Sequence, residues 1–171
     1  MGKLRPQSTS NLDIIVREYA SSPCWMHEVD PNYFGYWADN DVLTFLNMLL
    51  ERERLGSKAF AAIGRAADLE TADSILDAEL TQASLCVLLR QAIESRGATA
   101  VAPREPTTDN ILARPSLEQA ISFAINNQAK LVEALEEGTL KVVDSDLRST
   151  LAEMLQRHRQ QIEQLNLLRS N

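Results

Sequence analysis

Four long segments carry apolar side chains at the three-and-four spacing of an α-helix, and the chain between them is short, then long, then short. The first segment starts near Asp39 or Asn40, either a good N-cap, and runs through VLTFLNMLLERERLGSKAFAAIGRAA to about Ala67. The second runs from about Thr71 to Arg96, with Gly97 placed to take the left-handed conformation that ends a helix. The third opens on PSLEQ, where Ser116 and Gln119 match a capping box, and closes at Gly138. The fourth begins at Asp144 or Ser145 and continues almost to Asn171.

Segments one and two are joined by about four residues and segments three and four by about six, short enough to force antiparallel neighbours. Between two and three lies ATAVAPREPTTDNILARP, 18 residues with three prolines. Extended at roughly 3.3 Å per residue it reaches about 55 to 60 Å, against roughly 40 Å for a helix of this length. It can therefore cross the whole bundle. Short, long, short is the connectivity of ferritin-like bundles, in which one crossover starts the third helix at the opposite end from an up-down bundle. The expected fold is all-α, a ferritin-like four-helix bundle over residues 39–171. An up-down bundle with a loose middle loop is the alternative.

A chain of 171 residues, 44% apolar and 24% charged, suits one soluble domain with a terminal arm. No apolar run approaches the roughly 20 residues of a membrane span, and the start, MGKLRPQSTSNLDIIV, has no uninterrupted apolar stretch of the kind a secretory leader needs. A cytoplasmic protein without membrane contact is expected. A formal charge of −7 opposes binding to a phosphate backbone, and the arginines of the last helix alternate with Glu and Gln. Nucleic acid is not an expected partner. Cys24 and Cys86 are far apart in sequence, which argues against a disulfide in a reducing compartment. Cys24 and His27 form half of a zinc signature with no second half, so they read as a small hydrophobe and a surface histidine.

Residues 1–38 differ in character. Six of the nine aromatic residues, Tyr19, Trp25, Tyr33, Phe34, Tyr36 and Trp37, fall here. An aromatic-rich arm is expected to pack its rings on the bundle, or to cover a neighbouring subunit.

Each helical stripe is interrupted near its middle by a polar residue. Glu53 falls on the face of Val42, Phe45, Leu46, Leu49, Gly56, Phe60 and Ile63. Glu79 and Gln82 interrupt the stripe Ala72, Ile75, Cys86, Leu89, Ile93; Gln128, with Asn127 beside it, interrupts Ile121, Ala124, Leu131, Leu135; and His158 interrupts Leu147, Leu151, Leu155, Ile162, Leu165. A buried, unpaired carboxylate costs several kcal/mol, so such groups converge on one another, on water or on a metal. Carboxylates with an imidazole inside a bundle are metal-site chemistry suited to iron, manganese or zinc. Glu51, about 160° around the helix from Glu53, reads as a solvated residue paired with Arg52 or Arg54.

FGYWADNDVLTFLNMLLERERLGSKAF, with LDAELTQASLCVLL and LAEMLQRHRQQIEQL, resembles an uncharacterised bacterial ferritin-like family, a domain of unknown function, over roughly residues 34–168. The ferritin-like superfamily places a Glu on each of two helices and a Glu-x-x-His pair on each of the other two. The resemblance assigns Glu53 to the first-helix Glu and Glu79 to the Glu of the second-helix pair. Gln82 stands where that pair has histidine, Gln128 where the third helix has Glu, and Leu155 where the last pair has Glu beside the retained His158. Three of six ligands survive.

A dinuclear centre needs bridging carboxylates that this set does not supply, so ferroxidase and oxygenase chemistry are not expected. The leading expectation is a metal-free bundle in which His158 bridges Glu53 and Glu79, one of them protonated, with Gln82 and Gln128 adding hydrogen bonds. Such a protein would act as a homodimeric binding or structural module. The alternative is one iron, manganese or zinc ion held by Glu53, Glu79 and His158 in an oxidoreductase or hydrolase. A small ligand in the bundle core is a third reading. No nucleophile elbow or phosphate-binding loop competes; GSKAFAAIG lacks the preceding strand that such a loop requires.

Overall fold

The structure is a computed structural model, and it describes residues 34–103 and 116–170. The expectations for Cys24, His27 and most of the aromatic arm lie outside these residues, as does the centre of the long connection. The described residues form four long helices and no strand: α1 Asp39–Ala66, α2 Leu69–Glu94, α3 Leu117–Lys141 and α4 Ser145–Ser170. None is long and apolar enough to cross a membrane.

The helix ends follow local chemistry. The N-cap of α1 is Ala38, ahead of the expected Asp39 or Asn40, and its free amide is taken by the Asp41 carboxylate at 3.3 Å. Asp68 caps α2 by accepting from the Thr71 amide at 2.8 Å, so α2 begins two residues before Thr71 and the α1–α2 turn shrinks. Both halves of the Ser116/Gln119 capping box are present, at 3.2 and 3.0 Å. Asp144 accepts from the amides of Asp146 and Leu147, each at 3.0 Å, and so starts α4. Those amides hold its carboxyl below the usual range, as Thr71 does for Asp68. Gly97 has φ +73° and Gly35 φ +78°, the left-handed conformation that glycine adopts without a Cβ clash.

Hydrogen bonds and packing set which helices adjoin. α1 packs on α2 and α3, and α4 packs on α3 and α2. The pairings run in opposite senses along each contact. On α1 and α3, Trp37 lies by Lys141, Phe45 by Gly138, and Arg52 by Asn127. On α2 and α4, Gln82 bonds Gln161, and Arg96 at the end of α2 pairs with Asp144 at the start of α4. Adjacent helices are therefore antiparallel, and α2 and α3, which are diagonal to each other, point the same way. After α2 the chain turns back along α1. The Val101 amide donates to Asn47 Oδ1 at 2.9 Å, and Arg54 Nη1 donates to the Val101 carbonyl at 3.0 Å.

The interior is divided into two apolar clusters. One contains Leu46, Leu49, Leu85, Leu89, Leu131, Leu135, Leu151 and Met154; the other contains Phe60, Ile63, Ile75, Ile121, Ala124 and Leu165. Between them sit the buried polar residues Glu53, Gln82, Asn127, Gln128, His158 and Gln161. At the first cluster's open end the Trp37 and Phe45 rings meet at 4.7 Å between centroids, tilted by 50°.

Gly138 does not close α3, which continues to Lys141. It is buried instead, and a Cβ there would run into the Phe45 ring. The glycine permits α1 and α3 to approach rather than ending a helix. Alanine would gain about 1 kcal/mol of helix propensity but lose about 1–3 kcal/mol to overpacking. Gly138→Ala is expected to lower stability by about 1 kcal/mol in urea unfolding, and a Phe45→Leu background should abolish most of that difference.

Candidate functional site

Glu53, in the middle of α1, is 0% exposed, and so is His158 in the middle of α4. They face each other across the bundle with His158 Nε2 2.8 Å from Glu53 Oε1. The other ring nitrogen, Nδ1, lies 2.5 Å from Gln128 Oε1 on α3. An amide oxygen only accepts, so this contact puts a hydrogen on Nδ1 and leaves Nε2 to answer the carboxyl.

That assignment makes the site depend on one proton. A neutral imidazole facing an ionised carboxylate offers a lone pair to lone pairs, and Nε2 and both Glu53 oxygens are then left without a hydrogen-bond partner among the described residues. One further proton, on the carboxyl or on Nε2, converts the 2.8 Å approach into a hydrogen bond. Burial pushes the Glu53 carboxyl up from its ordinary value of 4.5, while the hydrogen bond and charge of His158 pull it back down. Desolvation is the larger effect, so the carboxyl holds its proton to higher pH than a free glutamate does.

Two amides from α2 and α4 complete the layer. Gln82 Nε2 donates to Gln161 Oε1 at 2.9 Å, while Gln82 Oε1 and Gln128 Nε2 have no partner among the described residues. The Gln82 carboxamide rests on Gly56, where a Cβ would occupy its place. Gly56 is three residues from Glu53 on the same face, so Gln82 approaches the helical turn that carries the carboxylate. Asn127 donates to the Arg52 carbonyl at 3.0 Å, stitching α3 to the α1 backbone at the same level.

The sequence expectations fare unevenly. Glu53 and His158 are brought together, and Gln82 and Gln128 are fully buried beside them. Glu79 is only half-buried, and no group of three His, Cys, Asp or Glu side chains among the described residues is placed to hold a metal ion. The buried face of α2 runs through Ile75, Ala78, Gln82, Leu85 and Leu89, which turns Glu79 to the flank. His158 therefore bridges Glu53 and Gln128, not two carboxylates. On α4 the interior line is Met154, His158, Gln161 and Leu165, with Leu155 and Ile162 half-buried. Gln161 joins this line three residues after His158, a position that the spacing alone marks. Glu51 is half-buried on the outer side of α1, in a groove of about 620 Å³ shared with Asn47, Arg54 and Val101. Cys86 is half-buried, and burial together with the nearby Glu53 charge pushes its thiol up to about 11.

Fold and site define a four-helix, all-α protein whose interior polar layer is one Glu–His pair set among amides. The chain belongs to the family described as Domain of unknown function (DUF6306), whose model matches residues 40–167. No curated protein and no solved structure matches the chain.

The raised Glu53 value has a defined sign. Between 4.5 and the folded value the native state binds the extra proton, so this group's contribution to stability is complete below pH 4.5 and is lost as pH rises through the folded value. Glu53→Gln keeps the shape and removes the titration. Measured by urea midpoints from pH 5 to 8, the variant should gain on the wild type steadily as pH rises. His158→Ala, which strips the carboxyl of its partner and leaves a void, should cost about 3 kcal/mol or more at neutral pH. Alkylation of Cys86 should run far slower than that of a free thiol at pH 7, because the thiolate fraction is small.

Proposed function

We propose that this protein is a ferritin-like bundle that retains an interior polar station but not two-metal chemistry, and that it works as a homodimeric, non-ferroxidase binding module of the bacterial cytoplasm. The parallel sense of the diagonal helices α2 and α3 supports the ferritin-like reading. Joining them requires the intervening chain to travel the bundle's length, and the clasp of Val101 by Asn47 and Arg54 starts it in that direction.

One observation carries the functional reading: Glu53 is the only acidic side chain among the buried residues described. Two cations a few ångströms apart need bridging carboxylates to offset their charge. Gln82 and Gln128 occupy interior positions where such ligands would stand, and neutral amides cannot replace them. The residues do not fit a diiron centre.

A second reading is favoured by the unpartnered lone pairs. Glu53 Oε1 and Oε2, His158 Nε2 and Gln82 Oε1 are all buried acceptors without hydrogen-bond partners among the described residues. Together they could hold a single divalent cation, with Gln82 taking the part expected of Glu79. Such an ion would also remove the need for the shared proton.

Elemental analysis of protein purified without chelators, with melting temperatures taken with and without added iron(II), manganese(II) or zinc(II), separates the readings. The leading reading expects well under one ion per chain, no metal-induced rise in melting temperature and no iron(II) oxidation above background. Stoichiometric metal that disappears in both Glu53→Gln and His158→Ala would establish the single-ion reading in its place. Rapid iron(II) oxidation would overturn both.

A further inference from the structure

The second helix is apolar on two opposite sides. Its inner face, through Ile75, Ala78, Leu85, Leu89 and Ile93, fills the core. Its outer face carries Leu69, Leu76, Leu80 and Val87, which are 88%, 50%, 57% and 57% exposed, with exposed Ala83 between the last two. No other helix presents more than one large apolar side chain at this level of exposure among the described residues. From Leu76 the spacing is four, three, four, which is the alternation of a coiled-coil seam. Continued in the same rhythm, the seam is closed at one end by Asp73 and at the other by Arg90, both exposed.

We infer that this face is the dimer interface, and that its occupant is the same face of a second copy, laid antiparallel. The arrangement of charges selects both the occupant and the direction. With a two-fold axis passing midway between Leu80 and Ala83, Leu80 meets the partner's Ala83 and Leu76 meets the partner's Val87. Asp73 then meets the partner's Arg90, and symmetry repeats each contact. Large side chains face smaller ones across the seam, and opposite charges close both ends. A parallel pairing would set Asp73 against its own copy and Arg90 against its own copy, placing like charges together at each end. The core residues of α2 point away from this seam, so dimerisation leaves the polar layer untouched.

This inference rests on the homodimer in the proposed function and gives it an address. Sedimentation equilibrium of the full chain tests it, using wild type, Leu80→Glu, Asp73→Arg, Arg90→Asp and the Asp73→Arg/Arg90→Asp double variant. The wild type should be a dimer. Leu80→Glu should be monomeric at the same concentration, and each single charge reversal should weaken the dimer by about tenfold or more. The double reversal, which restores opposite charges across the axis, should recover most of that loss. All three positions are exposed, so helical circular dichroism should not change; the charge variants report even if Leu80→Glu misfolds. A dimeric wild type that ignores these substitutions would overturn the α2 interface while leaving the homodimer itself standing, with the aromatic N-terminal segment as its next candidate seat. A monomeric wild type would overturn both. Failure of the double reversal to recover association would overturn the antiparallel register.

Discussion

A carboxyl group without water is the condition around which this bundle is built. Glu53 is wholly enclosed, and an isolated carboxylate in such surroundings would destabilise the fold by several kcal/mol. The structure answers with an imidazole at 2.8 Å, an amide behind the imidazole, and three further amide side chains at the same level. The apolar core is divided in two as a result. The layer also sets register, because sliding either α1 or α4 by one turn would drive a charged or polar group into an aliphatic cluster. Such interior polarity gives up stability relative to a fully apolar core and gains one defined alignment.

The chemistry available to the pair is limited by what surrounds it. With Nδ1 committed to Gln128, the imidazole has one nitrogen left, and that nitrogen meets one oxygen of one carboxyl. The pair can hold a proton or share a cation. Two metals would need further carboxylates, and the buried polar neighbours at this level are the amides Gln82, Asn127, Gln128 and Gln161. Both side chains of the pair are fully enclosed, so any ligand or ion reaching them must enter through the bundle.

Most of the helical framework can be read from periodicity, because a helix that buries one face must repeat its apolar residues every three or four positions. Capping chemistry locates the starts of α3 and α4 from Ser116 and Asp144. Sequence and structure part where two local signals compete. Gly138 reads as a stop signal, but the need for Phe45 to reach across to α3 decides its role. Glu79 and Gln82 are three apart and cannot be ranked by spacing alone; the rotation of α2 that best buries Ile75, Leu85 and Leu89 turns Gln82 inward and Glu79 aside. On α4, Leu155 and Ile162 are more apolar than Met154 and Gln161, yet the latter two follow the line set by His158. Apolar burial sets the rotation of α2, whereas on α4 the line of Met154, His158 and Gln161 follows the polar layer.

The entry to α1 is fastened to a different helix. The Trp37 amide donates to the Lys141 carbonyl at 2.9 Å, and the Lys141 ammonium reaches back to the Gly35 carbonyl at 3.0 Å. The last turn of α3 thereby finds a donor for one of its unpaired carbonyls. A mechanical load applied ahead of Gly35 would consequently be felt first by the end of α3 and its turn into α4. The hairpin that carries Gln128 and His158 is thus wired to the entry of α1, although Gly35 and Lys141 are 106 residues apart in sequence.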